Sequence, residues 1–182
     1  MVMRDTVIIH HALGYPIEPC AMVRGNAVEA ICTTDSSTYI FPKGEQIVLK
    51  QENPWKDGRL GSKALMFLLS LDLVFGNATE GNKLPVEISY EASGSAEICL
   101  DEIAVTDPHS IARWKRAARL QSILAMCIMI LVSGLLLSIM PAPYSLFFGV
   151  LAFVGLAWFF IQANKRISRL TQALAKLIDT KK

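Results

Sequence analysis

Side chains that could perform acid–base or nucleophilic chemistry are few and scattered along this chain. His10 and His11 are adjacent, so on a β-strand we expect one exposed and one buried or at a sheet edge. Asp35, Ser36 and Ser37 place hydroxyls beside a carboxylate, but this combination is also common in turns. No nucleophile-elbow, Walker, H-E-x-x-H or dinucleotide-binding motif occurs. We therefore predict no catalytic residue, no cofactor and no enzymatic activity.

The cysteines do not form a pattern that indicates metal binding. Cys20, Cys32, Cys99 and Cys127 include no C-x-x-C pair, and no histidine lies at zinc-binding spacing. We expect no metal site, and we expect these residues to be free, mostly buried thiols in a reducing compartment.

Charge divides the chain into two unlike parts. Residues 1–107 hold eight Lys or Arg and fifteen Asp or Glu, a formal charge of −7. Residues 108–182 hold ten Lys or Arg and one acid, Asp179, a formal charge of +9. This asymmetry indicates different surroundings for the two parts. Because the basic residues flank apolar segments instead of forming a stripe on a soluble face, no nucleic-acid partner is expected.

Two uncharged apolar segments make up nearly half of the basic part. They are Ile123–Met140 and Tyr144–Ile161, each eighteen residues long. As helices each would be about 27 Å long, close to the hydrocarbon thickness of a bilayer. A domain this small could not surround two helices that are apolar on every face. We predict a transmembrane hairpin with helices at 123–140 and 144–163, joined by an external turn at 141–143.

The basic residues that flank the two segments predict the orientation of the hairpin. The turn between the segments is uncharged, so by the positive-inside rule both termini are expected in the cytoplasm, at a plasma or bacterial inner membrane. The N-terminal residues do not resemble a signal peptide, which agrees with a cytosolic head. Seven side chains are predicted at the membrane surface: Arg113, Lys115, Arg116, Arg119, Lys165, Arg166 and Arg169. Aromatic residues near the expected interfaces are Trp114, Tyr144 and Trp158.

Helical extensions are predicted on both sides of the hairpin, at 108–122 and 164–182, where they would pair antiparallel. Apolar residues at heptad-like spacing mark the second extension: Ile167, Leu170, Leu174 and Leu177. This stripe would serve oligomerisation or docking, or else pack within the hairpin or on the lipid surface. Small residues in the spans offer further surfaces for helix packing: Ser133, Gly134, Ser138, Ser145 and Gly149.

The acidic part, residues 1–107, is predicted to be a mostly-β head, either a sandwich or a small barrel. Strands are predicted at Thr6–Leu13, Ala27–Thr33, Thr38–Phe41, Gln46–Gln51, Leu84–Tyr90 and Glu97–Val105. Residues 92–95 would form a hairpin turn, and a slip in alternation at Asp101 and Glu102 would be a β-bulge. Leu65–Phe75 is predicted as a long strand, with a buried helix as the alternative. Ser110 is expected to cap the first long helix.

Two functions fit this architecture. The leading hypothesis is a membrane-anchored accessory or scaffolding subunit whose partners are the lipid bilayer and either other subunits of a membrane complex or further copies of the chain. The alternative is a ligand-sensing head coupled to a hairpin that oligomerises and permeabilises the membrane. An enzyme acting at the membrane surface comes third, because only scattered His, Ser and Asp residues support it.

Overall fold

The computed structural model describes residues 3–13, 17–56, 84–139 and 141–179. Nine strands lie within these ranges: β1 Arg4–His10, β2 Cys20–Val23, β3 Asn26–Val28, β4 Ala30–Cys32, β5 Ser36–Pro42, β6 Gln46–Gln51, β7 Glu87–Ser93, β8 Ala96–Cys99 and β9 Ala104–Val105. The helices in the described ranges are α1 Leu100–Ile103, α2 Pro108–Ile139 and α3 Ala142–Asp179. The predicted segment Leu65–Phe75 lies outside the described residues.

The strands form two sheets. Sheet A has the order β4-β5-β1-β8, and sheet B has the order β3-β2-β6-β7-β9. The β1–β8 pair is parallel, and the other pairs are antiparallel. Within the described residues neither sheet closes into a barrel. The prediction of a β-rich N-terminal region is therefore confirmed, and two open sheets replace the barrel alternative.

Alternation along the strands supplies the core between the sheets. Successive side chains of a strand point to opposite faces, so every second residue is buried in β5 and β6, and the same alternation is visible over parts of β1 and β7. The inward side chains belong to one hydrophobic cluster: Val7, Ile9, Tyr39, Phe41 and Ile98 from sheet A, and Ala21, Val23, Ile47, Leu49 and Ile88 from sheet B.

The predicted hairpin at residues 92–95 is wrong. β7 pairs with β6 in sheet B, whereas β8 pairs with β1 in sheet A. The connection crosses from one sheet to the other, and Gly94 has φ +102°, a conformation that L side chains rarely adopt. The predicted strand Ala27–Thr33 is likewise divided at Glu29 between β3 in sheet B and β4 in sheet A.

The predicted β-bulge at Asp101 and Glu102 is also wrong, because these residues belong to the helical turn α1. The turn connects β8 in sheet A with β9 in sheet B. Leu100 begins the turn and is buried in the core. The interruption of the polar–apolar alternation at Asp101 and Glu102 therefore marks the place where the chain passes from sheet A to sheet B.

Asp107, and not the predicted Ser110, caps α2. The Asp107 carboxylate accepts a hydrogen bond from the backbone N–H of Ser110 at 2.8 Å, as an N-cap residue does. The Ser110 hydroxyl donates to the same carboxylate. Pro108 occupies the first helical position. Proline lacks a backbone N–H, and at this position that N–H would have no hydrogen-bond partner within the helix.

The helices α2 and α3 are long and apolar enough to cross a membrane. Only 11% and 6% of the residues in their most apolar windows are buried, so these windows are not core helices of the head. Burial is confined to the ends near the head, which we call the arms: residues 108–125 of α2 and 163–179 of α3.

Candidate functional site

The arms and the head share one hydrophobic core, and we call the place where they meet the joint. Trp114 of α2 is fully buried there (0% exposed). It lies in the same cluster as the inward residues of the two sheets and as Ile167 and Leu170 of α3. The expectation that Trp114 lies at a membrane interface is therefore wrong, whereas Tyr144 and Trp158 are exposed on the apolar part of the hairpin.

The four apolar residues of the predicted stripe all point inward. Ile167, Leu170, Leu174 and Leu177 are buried within the chain and belong to the head–arm cluster. These side chains do not form a free surface for oligomerisation or docking, which was the first of the two predicted roles, because other parts of the same chain cover them. They hold the second arm against the head and the first arm.

Arg113 adds a polar contact to the joint. Its Nη1 donates to the carbonyl oxygens of Trp55 and Lys56, each at 2.8 Å. These carbonyls follow β6, so the contact connects the first arm directly to sheet B. Bonds from a charged donor are stronger than bonds between neutral groups. Arg113 was predicted at the membrane surface; in the structure its guanidinium contacts the head.

A cleft of about 610 Å³ opens between the head and the second arm. The ends of β1 and β8, the start of α1 and the last turns of α3 form its walls. Its polar lining comes from His10, His11, Asp35, Cys99, Asp101 and Lys176. Leu13, Leu100 and Leu177 supply apolar surface. A cleft of this size with a few convergent polar groups is typical of small-molecule sites.

The fold brings His11 next to Asp35 and Ser37, which lie more than twenty residues farther along the sequence. The His11 backbone N–H donates to the Asp35 carbonyl at 2.8 Å, and His11 Nε2 lies 3.5 Å from Ser37 Oγ. Burial lowers the pKa of His11, although the nearby Asp35 carboxylate acts in the opposite direction. His11 is 4% exposed, and its Nδ1 has no hydrogen-bond partner among the described residues.

This trio does not have the geometry of a serine nucleophile site. Ser37 is fully buried, and its hydroxyl donates to the carbonyl oxygen of Ile17. A nucleophile must be accessible and must give its proton to the base. The arrangement instead supplies a neutral imidazole that lines the cleft.

His10 and Cys99 contribute exposed groups to the same cleft. His10 is exposed, as expected for one of the two histidines, and its Nε2 lies 3.8 Å from Glu97 Oε2. Cys99 is its partner in the parallel ladder. The prediction of mostly buried thiols is wrong, because Cys20, Cys99 and Cys127 are exposed. Among the described residues, no three His, Cys, Asp or Glu side chains are placed to hold a metal ion.

The outer face of sheet A carries three isoleucines, Ile8, Ile31 and Ile40, which we call the isoleucine face, and the charged Glu97 lies beside them as the register partner of Ile8. Ile31 on β4 and Ile40 on β5 are 61% and 39% exposed. Thr38 is the register partner of both Ile31 and Ile8, so the isoleucines lie near one another across three strands. Apolar residues gathered on one exposed face indicate a surface for protein contacts.

The small residues predicted for helix packing are not gathered at one interface. A Cβ at Gly149 would lie 3.6 Å from Leu137 of the facing helix, whereas one at Gly134 would meet nothing within 4 Å. Ser133 and Ser145 are half-buried and Ser138 is exposed. Ser138 Oγ donates to the Leu135 carbonyl of its own helix at 2.7 Å. Their role in association with other helices stays a prediction.

The cleft, the joint and the isoleucine face were missed by sequence reasoning. Arg113 and Trp114 give no sign in the sequence that they face the head instead of the membrane. The only signal for the isoleucine face was Ile31 and Ile40, which fell within predicted strands.

In comparisons with known proteins, no family model, no curated protein and no solved structure matches the chain.

Proposed function

We propose that this chain is an accessory subunit that holds its β-sandwich head against the cytoplasmic surface of a plasma or bacterial inner membrane. The apolar parts of α2 and α3 insert as a hairpin with both termini in the cytoplasm. The head then binds other subunits of a larger membrane complex or further copies of the chain.

The observation that carries the proposal is the shared core of head and arms. Domains connected by a linker move relative to one another unless their interface is large and apolar. Here Trp114, Leu170 and Leu174 are fully or almost fully buried at the joint. A hairpin in the bilayer would therefore fix both the height and the orientation of the head. Such fixed presentation suits a protein that positions partners.

The isoleucine face of sheet A is the surface that we assign to the partner. Interface cores are depleted in charge, and Ile8, Ile31 and Ile40 supply uncharged surface there. The outer face of sheet B carries two charged side chains, Lys50 and Glu91, beside the apolar Met22 and Val48.

Paired variants test this assignment in the full-length protein. Ile31→Lys/Ile40→Lys places two charges on the isoleucine face, and Met22→Lys/Val105→Lys places two charges on exposed apolar positions of sheet B. Each protein is tagged, extracted from its native membranes in a gentle detergent and examined for co-purifying subunits.

We expect the wild type and the sheet B variant to retain the same partners, and the sheet A variant to lose them. A charge buried without a counter-charge is strongly unfavourable at an interface, so the loss should exceed about tenfold. Equal retention by both variants would contradict the assignment of the face. A wild type that runs without any partner, even after crosslinking in the membrane, would contradict the proposed function.

One observation supports the ligand-sensing alternative. The cleft has walls from both the head and the second arm, so a bound small molecule could change how the arm packs. Under this alternative, adding cytosolic nucleotides to vesicles that contain the protein would cause assembly or dye leakage. Asp35→Asn/Asp101→Asn should change that response. If no nucleotide causes leakage or assembly, the ligand-sensing alternative is excluded for nucleotides.

A further inference from the structure

We propose that Arg119, Lys165 and Arg169 bind the headgroups of anionic phospholipids, and that Arg116 and Arg113 do not. The inference rests on the membrane insertion proposed above and adds a specific lipid partner to it. Its basis is the position of Arg119, Lys165 and Arg169 along the arms, the direction of the side chains, and the absence of ion pairs to these three residues within the part of the chain that the structure describes.

The basic residues of both arms lie outside the buried stripe. Arg116, Arg119, Lys165 and Arg169 are all exposed, whereas the buried positions of the arms are apolar or uncharged. Arg116 and Arg119 are three residues apart, and Lys165 and Arg169 are four residues apart, so the two members of each pair lie on one side of their helix. Each arm therefore presents a basic outer side near the predicted bilayer.

The distances along the helices divide these residues into two groups. Arg119 precedes Ile123, and Lys165 follows Ile161, by four residues or about 6 Å of helix. The headgroup layer on each side of the hydrocarbon is about 5 to 8 Å thick. Arg119 and Lys165 therefore lie at the depth of the phosphates, whereas Arg116 and Arg169 lie about 10 to 12 Å from the hydrocarbon.

Side-chain direction then separates Arg116 from Arg169. In an α-helix the Cα–Cβ bonds tilt toward the N-terminus. The N-terminal direction points away from the bilayer in α2 and toward it in α3. Arg169 therefore leans toward the headgroups, whereas Arg116 leans away from them. Arg113 lies one turn farther from the membrane and is bonded to the head.

Within the described residues, none of the three cations Arg119, Lys165 and Arg169 is paired with a carboxylate. Neither arm contains a carboxylate between Pro108 and Ile178. A bilayer rich in anionic lipid would supply negative charge where these cations lie. A zwitterionic bilayer would supply phosphates but no net negative charge, because each phosphate is balanced by a cationic group of the same lipid.

Lipid selection in nanodiscs tests the proposal with the full-length protein. The protein is reconstituted with equal amounts of phosphatidylcholine and phosphatidylglycerol of identical chains, and the lipids it retains on release are counted by native mass spectrometry. The test variant is Arg119→Gln/Lys165→Gln/Arg169→Gln. The controls are Arg116→Gln, which removes a positive charge about one turn farther from the bilayer than Arg119, and Lys43→Gln/Lys50→Gln, which removes two charges from the head.

We expect the wild type to retain phosphatidylglycerol in clear excess, since a basic residue near an anionic surface contributes about a fivefold preference. The triple variant should lose the preference, and both controls should keep at least half of it. Equal retention of the two lipids by the wild type, or the same loss in Arg116→Gln as in the triple variant, would overturn the lipid inference alone. A wild type that does not enter the nanodiscs would overturn the proposed function as well.

Discussion

At the residue scale, His11 connects the chemistry of the cleft to the stability of the head. Burial lowers its pKa in the folded protein, so the unfolded state binds the proton more tightly. Stability should therefore fall as pH falls below about 6.5, the ordinary pKa of histidine. We expect His11→Gln to reduce the fall in melting temperature between pH 7.5 and pH 5.5. His10 is exposed, so His10→Gln should leave this fall in melting temperature unchanged. An equal effect of the two variants would contradict the role assigned to His11.

Trp114 is the residue whose loss should weaken the joint most. Removing a fully buried tryptophan side chain leaves a cavity and costs about 3 to 5 kcal/mol. We expect Trp114→Ala to lower the unfolding temperature of the full-length protein in detergent. Trp158→Ala removes the same side chain from a position that is 65% exposed and should not affect unfolding of the head. Equal destabilisation by the two variants would mean that Trp114 does not hold head and arms together.

At the element scale, the start of α2 depends on a single cap. Burial alone would raise the pKa of Asp107, but the hydrogen bonds from Ser110 and His109 lower it overall. Asp107→Ala removes the acceptor and should destabilise the protein by about 1 kcal/mol. Asp107→Asn keeps an acceptor and should retain most of the stability. Thermal melting at neutral pH compares the two, and the same loss in both would contradict the capping role.

The elements also show how far sequence patterns can predict this fold. β6 has the predicted bounds, and the two apolar helices follow from hydrophobic length alone. Alternation of polar and apolar residues defines which face of a strand is buried but not which strand pairs with it. For that reason the pattern could not show that β7 and β8 belong to different sheets. It also could not show that Ala27–Thr33 is divided between sheet A and sheet B.

The candidate site was less predictable than the fold. His11, Asp35 and Ser37 meet only because β5 pairs with β1, a non-local contact that local patterns do not contain. The burial of Ile167 and Leu174 by the head, instead of by another copy of the chain, is equally a property of tertiary packing. The apolar stripe was identified from the sequence, but the surface that covers it could not be predicted from the sequence.

At the scale of the whole molecule, the head and the two long helices form one continuous structure, because the arms share the hydrophobic core of the head. Most residues in the apolar windows of α2 and α3 are not buried, and in the proposed function a bilayer covers them. We propose that the molecule is held in a membrane in this way and binds other proteins through the isoleucine face.

Native mass measurement of the full-length protein, extracted gently from its own membranes, tests this claim most directly. We predict recovery in the membrane fraction, in particles heavier than the 20.1 kDa chain and of fixed composition. Recovery as a 20.1 kDa monomer from the soluble fraction would contradict the account.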